Sequence, residues 1–190
     1  TAGFWHTCIA RASGAAWCWG AAVAGQLGNG VSMTPRTTPF VVPFISNAVS
    51  VAAGGHFSCA RLATNEVRCW GANSFGQLGD ASQVDRPNGV MFGINSDAQT
   101  LWANGYHTCV KRPSGVIECA GRNNRGELGF GTLQYLASTP TPTPYVGSVA
   151  IGNAHLCGLS AGVVRCAGLN DRGQVGDGFD PRVPRRVLRP

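Results

Sequence analysis

Eight cysteines, four histidines and nine acidic side chains are the residues of this 190-residue chain with the most chemistry to offer. The cysteines fall into four pairs of near-constant spacing: Cys8/Cys18, Cys59/Cys69, Cys109/Cys119 and Cys157/Cys166. Such pairs can ligate a metal, stay as buried thiols or form disulfides. Zinc sites use Cys-x2-Cys or similar clusters that bring two thiolates to one ion, and separations of 9 or 10 residues make no such pair locally. Between the members of each pair lie two short apolar segments around a turn signal, Pro113-Ser114-Gly115 in the third and Ala161-Gly162 in the fourth. Strands of about four residues around a two- or three-residue loop make a β-hairpin. Counting outward from those turns sets Cys109 opposite Cys119 and Cys157 opposite Cys166, which suits a cross-strand disulfide. Four intra-repeat disulfides are therefore expected, with no metal, and an oxidising compartment: extracellular, periplasmic or cell surface.

The other reactive residue types carry less. The histidines sit beside the hairpins at equivalent places, which a repeat fold spreads out and does not gather, so structural roles are expected. The run Gly71-x4-Gly76-Gln77-Leu78-Gly79 has the glycines of a phosphate loop but neither its Lys-Ser/Thr nor a helix to follow. Gln77 and its counterparts Gln26, Glu127 and Gln174 are expected to bond turn backbone, while Leu27, Leu78, Leu128 and Val175 plug between neighbouring units. The carboxylates are scattered, and no Gly-x-Ser-x-Gly elbow occurs. No catalytic set and no cofactor is expected; the reading is non-enzymatic.

The elements that position these residues repeat four times. The glycine after each second cysteine (Gly20, Gly71, Gly121, Gly168) opens the same text, at steps of 51, 50 and 47 residues. Downstream of it runs a Pro-bearing extended segment, beginning at Pro39, Pro87, Pro144 or Pro184. Three apolar stretches, Ala48–Ala53, Ala98–Trp102 and Val146–Ile151, then lead to the next hairpin; the first unit has only Thr1-Ala2-Gly3 there. Four short strands per repeat without helical periodicity predict an all-β propeller, one domain over 1–190 with repeats near 1–47, 48–97, 98–145 and 146–190. One inner strand short, such a ring closes through a longer array or a neighbouring chain. The stretch Ser138-Thr-Pro-Thr-Pro-Thr-Pro144 is expected to form a stiff polyproline-like bridge on the surface, not an internal strand.

Composition narrows the function classes. Hydrophobic residues make up 44% and charged residues 13%, a globular balance. The formal charge of +6 owes much to Arg182, Arg185, Arg186 and Arg189 in a basic tail, read as a solvated end, and no nucleic-acid partner is expected. No apolar run is long enough for a transmembrane helix, no signal peptide is visible, and no Asn-x-Ser/Thr sequon occurs.

The phrase carried by Gly55-His56-Phe57-Ser58-Cys59 and Cys69-Trp70-Gly71-Ala72-Asn73-Ser74-Phe75-Gly76-Gln77-Leu78-Gly79 resembles the repeat of the RCC1 (regulator of chromosome condensation) family, in a disulfide-bearing, secreted form. The resemblance covers nearly the whole chain. It departs where Ala120 and Ala167 replace the tryptophan before the anchor glycine, and in having four repeats where the family usually has about seven. It implies an RCC1-like β-propeller, either these four repeats or a larger ring or array that includes them, that serves as a binding scaffold. The residues before each hairpin, Phe4, Trp5, His56, Phe57, Tyr106 and His107, are the candidates for a rim that recognises a protein partner. Two alternatives remain: an assembly module of a fibre or surface layer whose terminal strands a neighbouring chain completes, and a glycan-binding lectin.

Overall fold

A computed structural model describes residues 1–30, 34–94, 97–131, 134–160, 162–176 and 185–186. The described residues form fifteen β-strands in four antiparallel sheets, with no helix among them. The first sheet has three strands, β1 (His6–Ala10), β2 (Ala16–Gly20) and β3 (Arg36–Val41). The second runs in the order β4 (Ala48–Ala53), β5 (Phe57–Leu62), β6 (Val67–Gly71) and β7 (Arg86–Met91). The third comprises β8 (Thr100–Asn104), β9 (His107–Lys111), β10 (Val116–Arg122) and β11 (Leu136–Val146). The fourth comprises β12 (Ser148–Ile151), β13 (His155–Ser160), β14 (Val163–Gly168) and β15 (Arg185–Arg186). The fold is all-β, with the blades of a propeller.

Each hairpin is in the register that counting gives. Cys8 faces Cys18, Cys59 faces Cys69, Cys109 faces Cys119 and Cys157 faces Cys166. All eight cysteines are joined in those four disulfides, with Cα atoms 4.0–4.2 Å apart. In the first sheet, Thr1 begins the place of the missing inner strand: Cys8 N donates to Thr1 O (3.1 Å) and Ala2 bridges Thr7. That is the register of Ala52 on Cys59 and Ala53 on Ser58 in the second sheet.

The core lies between the blades. One buried cluster joins Cys8, Ala16, Cys18 and Leu27 of the first blade to Ala60, Leu62 and Trp70 of the second. Another joins Phe57, Cys59 and Leu78 to Val110 and Ala120, and a third joins Cys109, Ile117 and Leu128 to Val149 and Leu156. Leu27, Leu78 and Leu128 thus plug successive blade-to-blade joints. The turns that deliver them need glycine: Gly71, Gly76 and Gly79 have φ of 107°, 71° and 65°, and their counterparts in the other three repeats are positive too. A side chain in that region costs about 1–2 kcal/mol, and at Gly79 a Cβ would also meet the Phe92 ring.

The Thr-Pro stretch differs from its expectation. It is not a free polyproline bridge but part of β11, an 11-residue outer strand pairing with β10. The physical reason is its edge position: proline lacks a donor, yet an edge strand needs donors on one side only, and register shifts absorb the rest. The fourth Pro-bearing strand and the basic tail lie outside the described residues except for the backbone of Arg185–Arg186, which pairs with β14; Ala161 of the last hairpin turn also lies outside them.

Each disulfide closes a loop of 9 or 10 residues within one hairpin. On chain-entropy grounds a bridge of that length contributes somewhat under ~3 kcal/mol. Cys59→Ala together with Cys69→Ala is expected to lower the unfolding free energy by about 2–3 kcal/mol in urea titration, with the far-ultraviolet spectrum of the folded chain unchanged.

Candidate functional site

The loops that lead into the hairpins sit side by side because backbone bonds tie them across blades. Phe4 N donates to Gly55 O (3.2 Å) and Gly55 N to Gly105 O (2.7 Å). Asn104 Nδ2 reaches Ile151 O at 2.9 Å, linking the third blade to the fourth. This belt holds aromatic rings at successive positions. Trp5 packs edge-on to His56 (5.1 Å between centroids), His56 to Phe4 (5.7 Å), and Phe4 to Tyr106 (6.1 Å). Tyr106 continues to Phe75 (5.1 Å), and Phe75 to Tyr135 (6.0 Å). Edge-to-face pairs at these distances are favourable contacts of the ring quadrupoles. The two ends stay open to solvent, with Trp5 67% and Tyr135 58% exposed.

A single cation is fixed over the row. The Arg122 guanidinium lies 4.9 Å from the Tyr106 centroid and 5.8 Å from that of Phe75. Its Nε donates to Glu127 Oε1 at 2.9 Å, and the Glu127 side chain is fully buried. Glu127 stands where the other repeats have Gln26, Gln77 and Gln174. All four bond the turn N–H two residues before them, at Ala24, Phe75, Arg125 and Arg172. The third repeat therefore spends its extra carboxylate oxygen on Arg122, which replaces Ala21, Ala72 or Leu169 of the other copies. A charge in the turn and a charge on the rim come as a pair.

Of the six residues that sequence singles out, the structure brings Phe4, Trp5, His56 and Tyr106 together in this row. Phe57 and His107 are not part of it. Each is buried, the first residue of its strand, with its side chain in the joint between blades. The reason is strand alternation: these positions are in step with the cysteines, which face the core. His6 is buried at the same place, and its Nε2 lies 2.8 Å from Ser58 Oγ. Because that hydroxyl gives its proton to Gln26 O (2.9 Å), the imidazole is the donor. Sequence reasoning missed Phe75, Tyr135 and Arg122. Phe75 had a signal, as the one aromatic at its place within the four glycine turns; Tyr135 had none.

Burial holds the internal imidazoles neutral. For His6, burial and then the nearby His56 bring the pKa to about 4. For His107, burial leads, followed by the Arg122 guanidinium, and brings it to about 3. Elsewhere Asp80, although burial alone would raise it, is lowered by hydrogen bonds from Ser82, Arg86 and Asn73. Among the described residues no group of three or more His, Cys, Asp or Glu gathers in a metal-holding arrangement, and no helix is long and apolar enough to cross a membrane.

Comparison with known proteins agrees with this architecture. Family models described as the Regulator of chromosome condensation (RCC1) repeat match residues 13–61 and 48–77. Mouse Alsin is 38% identical over 85 residues, covering 39% of this chain and 5% of that protein. The rat probable E3 ubiquitin-protein ligase HERC4 is 33% identical over 86 residues, covering 44% and 8% respectively. Among solved structures, yeast RCC1 (Prp20) bound to Kap60 superposes with a TM-score of 0.86 at 21% identity, over 98% of this chain and 47% of that one. Human WBSCR16 gives 0.84 at 20% identity, over 100% and 52%. The chain thus spans about half the length of these solved chains and a small part of the curated relatives.

Two measurements test this site. Arg122→Ala leaves Glu127 as an unpaired buried carboxylate and is expected to cost about 3–5 kcal/mol; adding Glu127→Gln, as the other repeats have, is expected to restore most of it in a double-mutant cycle. The second concerns pH. Unfolded histidines take up protons below about 6.5, whereas folded His6 and His107 do not, so stability present above that value falls on acidification at up to about 1.4 kcal/mol per pH unit per ring. His107→Phe, the residue the second repeat has there, is expected to make the fall in urea midpoint between about pH 6 and 4 shallower. Residues 13–77 thus match the RCC1 repeat, each of the four hairpins carries a disulfide, and the chain folds as an RCC1-like β-propeller.

Proposed function

We propose that the chain is an extracellular, non-enzymatic binding scaffold that recognises a protein partner through the aromatic row from Trp5 to Tyr135. The observation that carries this reading is the row itself: six rings in succession, five in edge contact and Tyr135 tilted on Phe75, open at both ends, with Arg122 fixed over its centre. Tryptophan, tyrosine and arginine are the residue types that dominate binding hot spots, and here ring contacts and backbone bonds between blades hold the row before any partner arrives. Pre-organisation of that kind lowers the entropy cost of association. One solved relative, yeast RCC1 (Prp20), is described through protein partners in two structures, one in complex with Kap60 and one with its binding to Gsp1p and histones. Those partners belong to that protein; they support a scaffold role here and not a shared ligand. HERC4 is named a ligase, but the matched stretch is 8% of it, so that activity does not carry over.

The extracellular part of the reading rests on the disulfides, one in every hairpin with no cysteine left free. Bonds of this density persist in oxidising compartments and are rare in reducing ones.

The test is affinity capture of partners from the extracellular fraction of the source. Wild-type chain is compared with a Trp5→Ala/Tyr106→Ala double variant whose urea midpoint matches wild type. A partner held by the row is expected to weaken at least about 30-fold, as loss of one hot spot of about 2 kcal/mol already implies. Equal capture by both proteins would sink the assignment of this surface.

A further inference from the structure

The joint between the second and third blades, each a four-stranded sheet, carries a guanidinium with one edge used and the other open. Arg122 spends its Nε on Glu127 Oε1 at 2.9 Å. Its two Nη atoms take no acceptor among the described residues, and neither is sealed from solvent. The side chain is only 19% exposed, so the cation is largely desolvated, with the Tyr106 and Phe75 rings against it.

The same chain shows what a completed arginine looks like. Arg112 donates from Nε and Nη2 to Glu118 Oε2, at 2.9 and 2.7 Å, and from Nη1 to Asp97 Oδ1 at 2.6 Å. Two carboxylates share that guanidinium, one at each edge. Arg122 has the first of these and lacks the second.

Three observations narrow what the open edge takes. A pair of Nη donors matches the two oxygens of a carboxylate in spacing and plane. Charge agrees: Arg125, exposed at the place Phe75 holds in the preceding turn, joins Arg122 and Glu127 to leave one positive charge. One carboxylate neutralises it, whereas a phosphate monoester, at about −1.5 to −2, would set excess negative charge beside a buried glutamate. The rings point to protein. From Trp5 to Phe75 neighbouring rings stand 62–87° apart, so they make no flat platform on which a base or sugar would stack.

We propose that Arg122 anchors an aspartate or glutamate of a protein partner, whose carboxylate takes the two Nη donors while Tyr106 and Phe75 shield the contact from water. This rests on the reading of the aromatic row as a partner surface and adds the charge that the partner brings to it.

The test uses a phage-displayed library of random peptides of about a dozen residues, selected on the full chain. Selected peptides are synthesised in pairs, one with its acidic residue and one with the matching amide (Glu→Gln or Asp→Asn). Those that lose affinity for Trp5→Ala/Tyr106→Ala are the row binders. Among them the acidic form is expected to bind wild type at least about tenfold tighter than the amide, as a hydrogen bond to a charged group implies. On Arg122→Gln/Glu127→Gln, which removes both charges and keeps the glutamine turn of the other repeats, the two forms are expected to bind alike. Lys111→Gln, at the far end of β9 from Tyr106, is expected to keep the preference. Equal binding of both forms to wild type overturns the anchor and leaves the row as a partner surface, as does a preference that survives Arg122→Gln/Glu127→Gln. A preference lost equally in Lys111→Gln reduces the effect to net charge and overturns it too. Binders indifferent to Trp5→Ala/Tyr106→Ala remove the row and the anchor together. Displacement of the acidic peptide by phosphate at a lower concentration than by acetate, at matched ionic strength, overturns the carboxylate. A single-stranded oligonucleotide held by the row more tightly than any peptide overturns the protein partner.

Discussion

One backbone carbonyl, that of Gln26, organises the joint on which the first half of the structure depends. Both of its lone pairs are filled from the next blade, by a serine hydroxyl and a tryptophan indole. Presenting a carbonyl sideways in this way requires a turn that no ordinary L-residue run adopts. Three glycines at positive φ shape it, and the glutamine side chain folds back on the turn N–H; in the later repeats Asn73, Asn123 and Asn170 also accept from the N–H of the plug residue, where the first has Ala22. The same turn therefore delivers a hydrogen-bond acceptor and an apolar plug to one interface. Polar satisfaction and core packing are solved by a single local conformation.

The joint then changes along the chain. Between the first two blades it has Ser58 and Trp70; between the next two, Thr108 with Ala120; between the last two, Leu156 with Ala167. Hydrogen bonding thus gives way to apolar contact, with Leu128, Leu156 and Tyr145 filling the third interface. The disulfides act in the other direction. They lie within blades and not between them, stiffening each hairpin so that the faces meeting at the joints are already in register. A thin four-stranded sheet has no core of its own, which is why both devices are needed.

The third repeat shows how the turn reaches the surface. Replacing glutamine by Glu127 keeps the bond to the turn N–H but buries a charge, and Arg122 meets it. That pairing leaves the guanidinium over Tyr106 and Phe75, so the electrostatics of the rim follow from a substitution in the interior. The row from Trp5 to Tyr135 is likewise a consequence of the belt of backbone bonds beneath it.

By itself, the sequence determined what is local and periodic. The turn signals put each cysteine across from its partner, the four-fold text gave blades, and the spacing of Leu27, Leu78 and Leu128 marked the plugs, because hairpin register and glycine turns depend on near neighbours. Tertiary structure decided what depends on which face a strand turns to its neighbour. It buried Phe57 and His107, one residue away from the half-buried His56 and Tyr106. It made an edge strand of the Thr-Pro stretch, since proline is tolerated where only one side of a strand is paired. It also brought Phe75, Tyr135 and Arg122 to the residues before the hairpins. Those contacts span 60 residues from Phe75 to Tyr135 and 31 from Phe75 to Tyr106, and only the stacking of one blade on the next sets them.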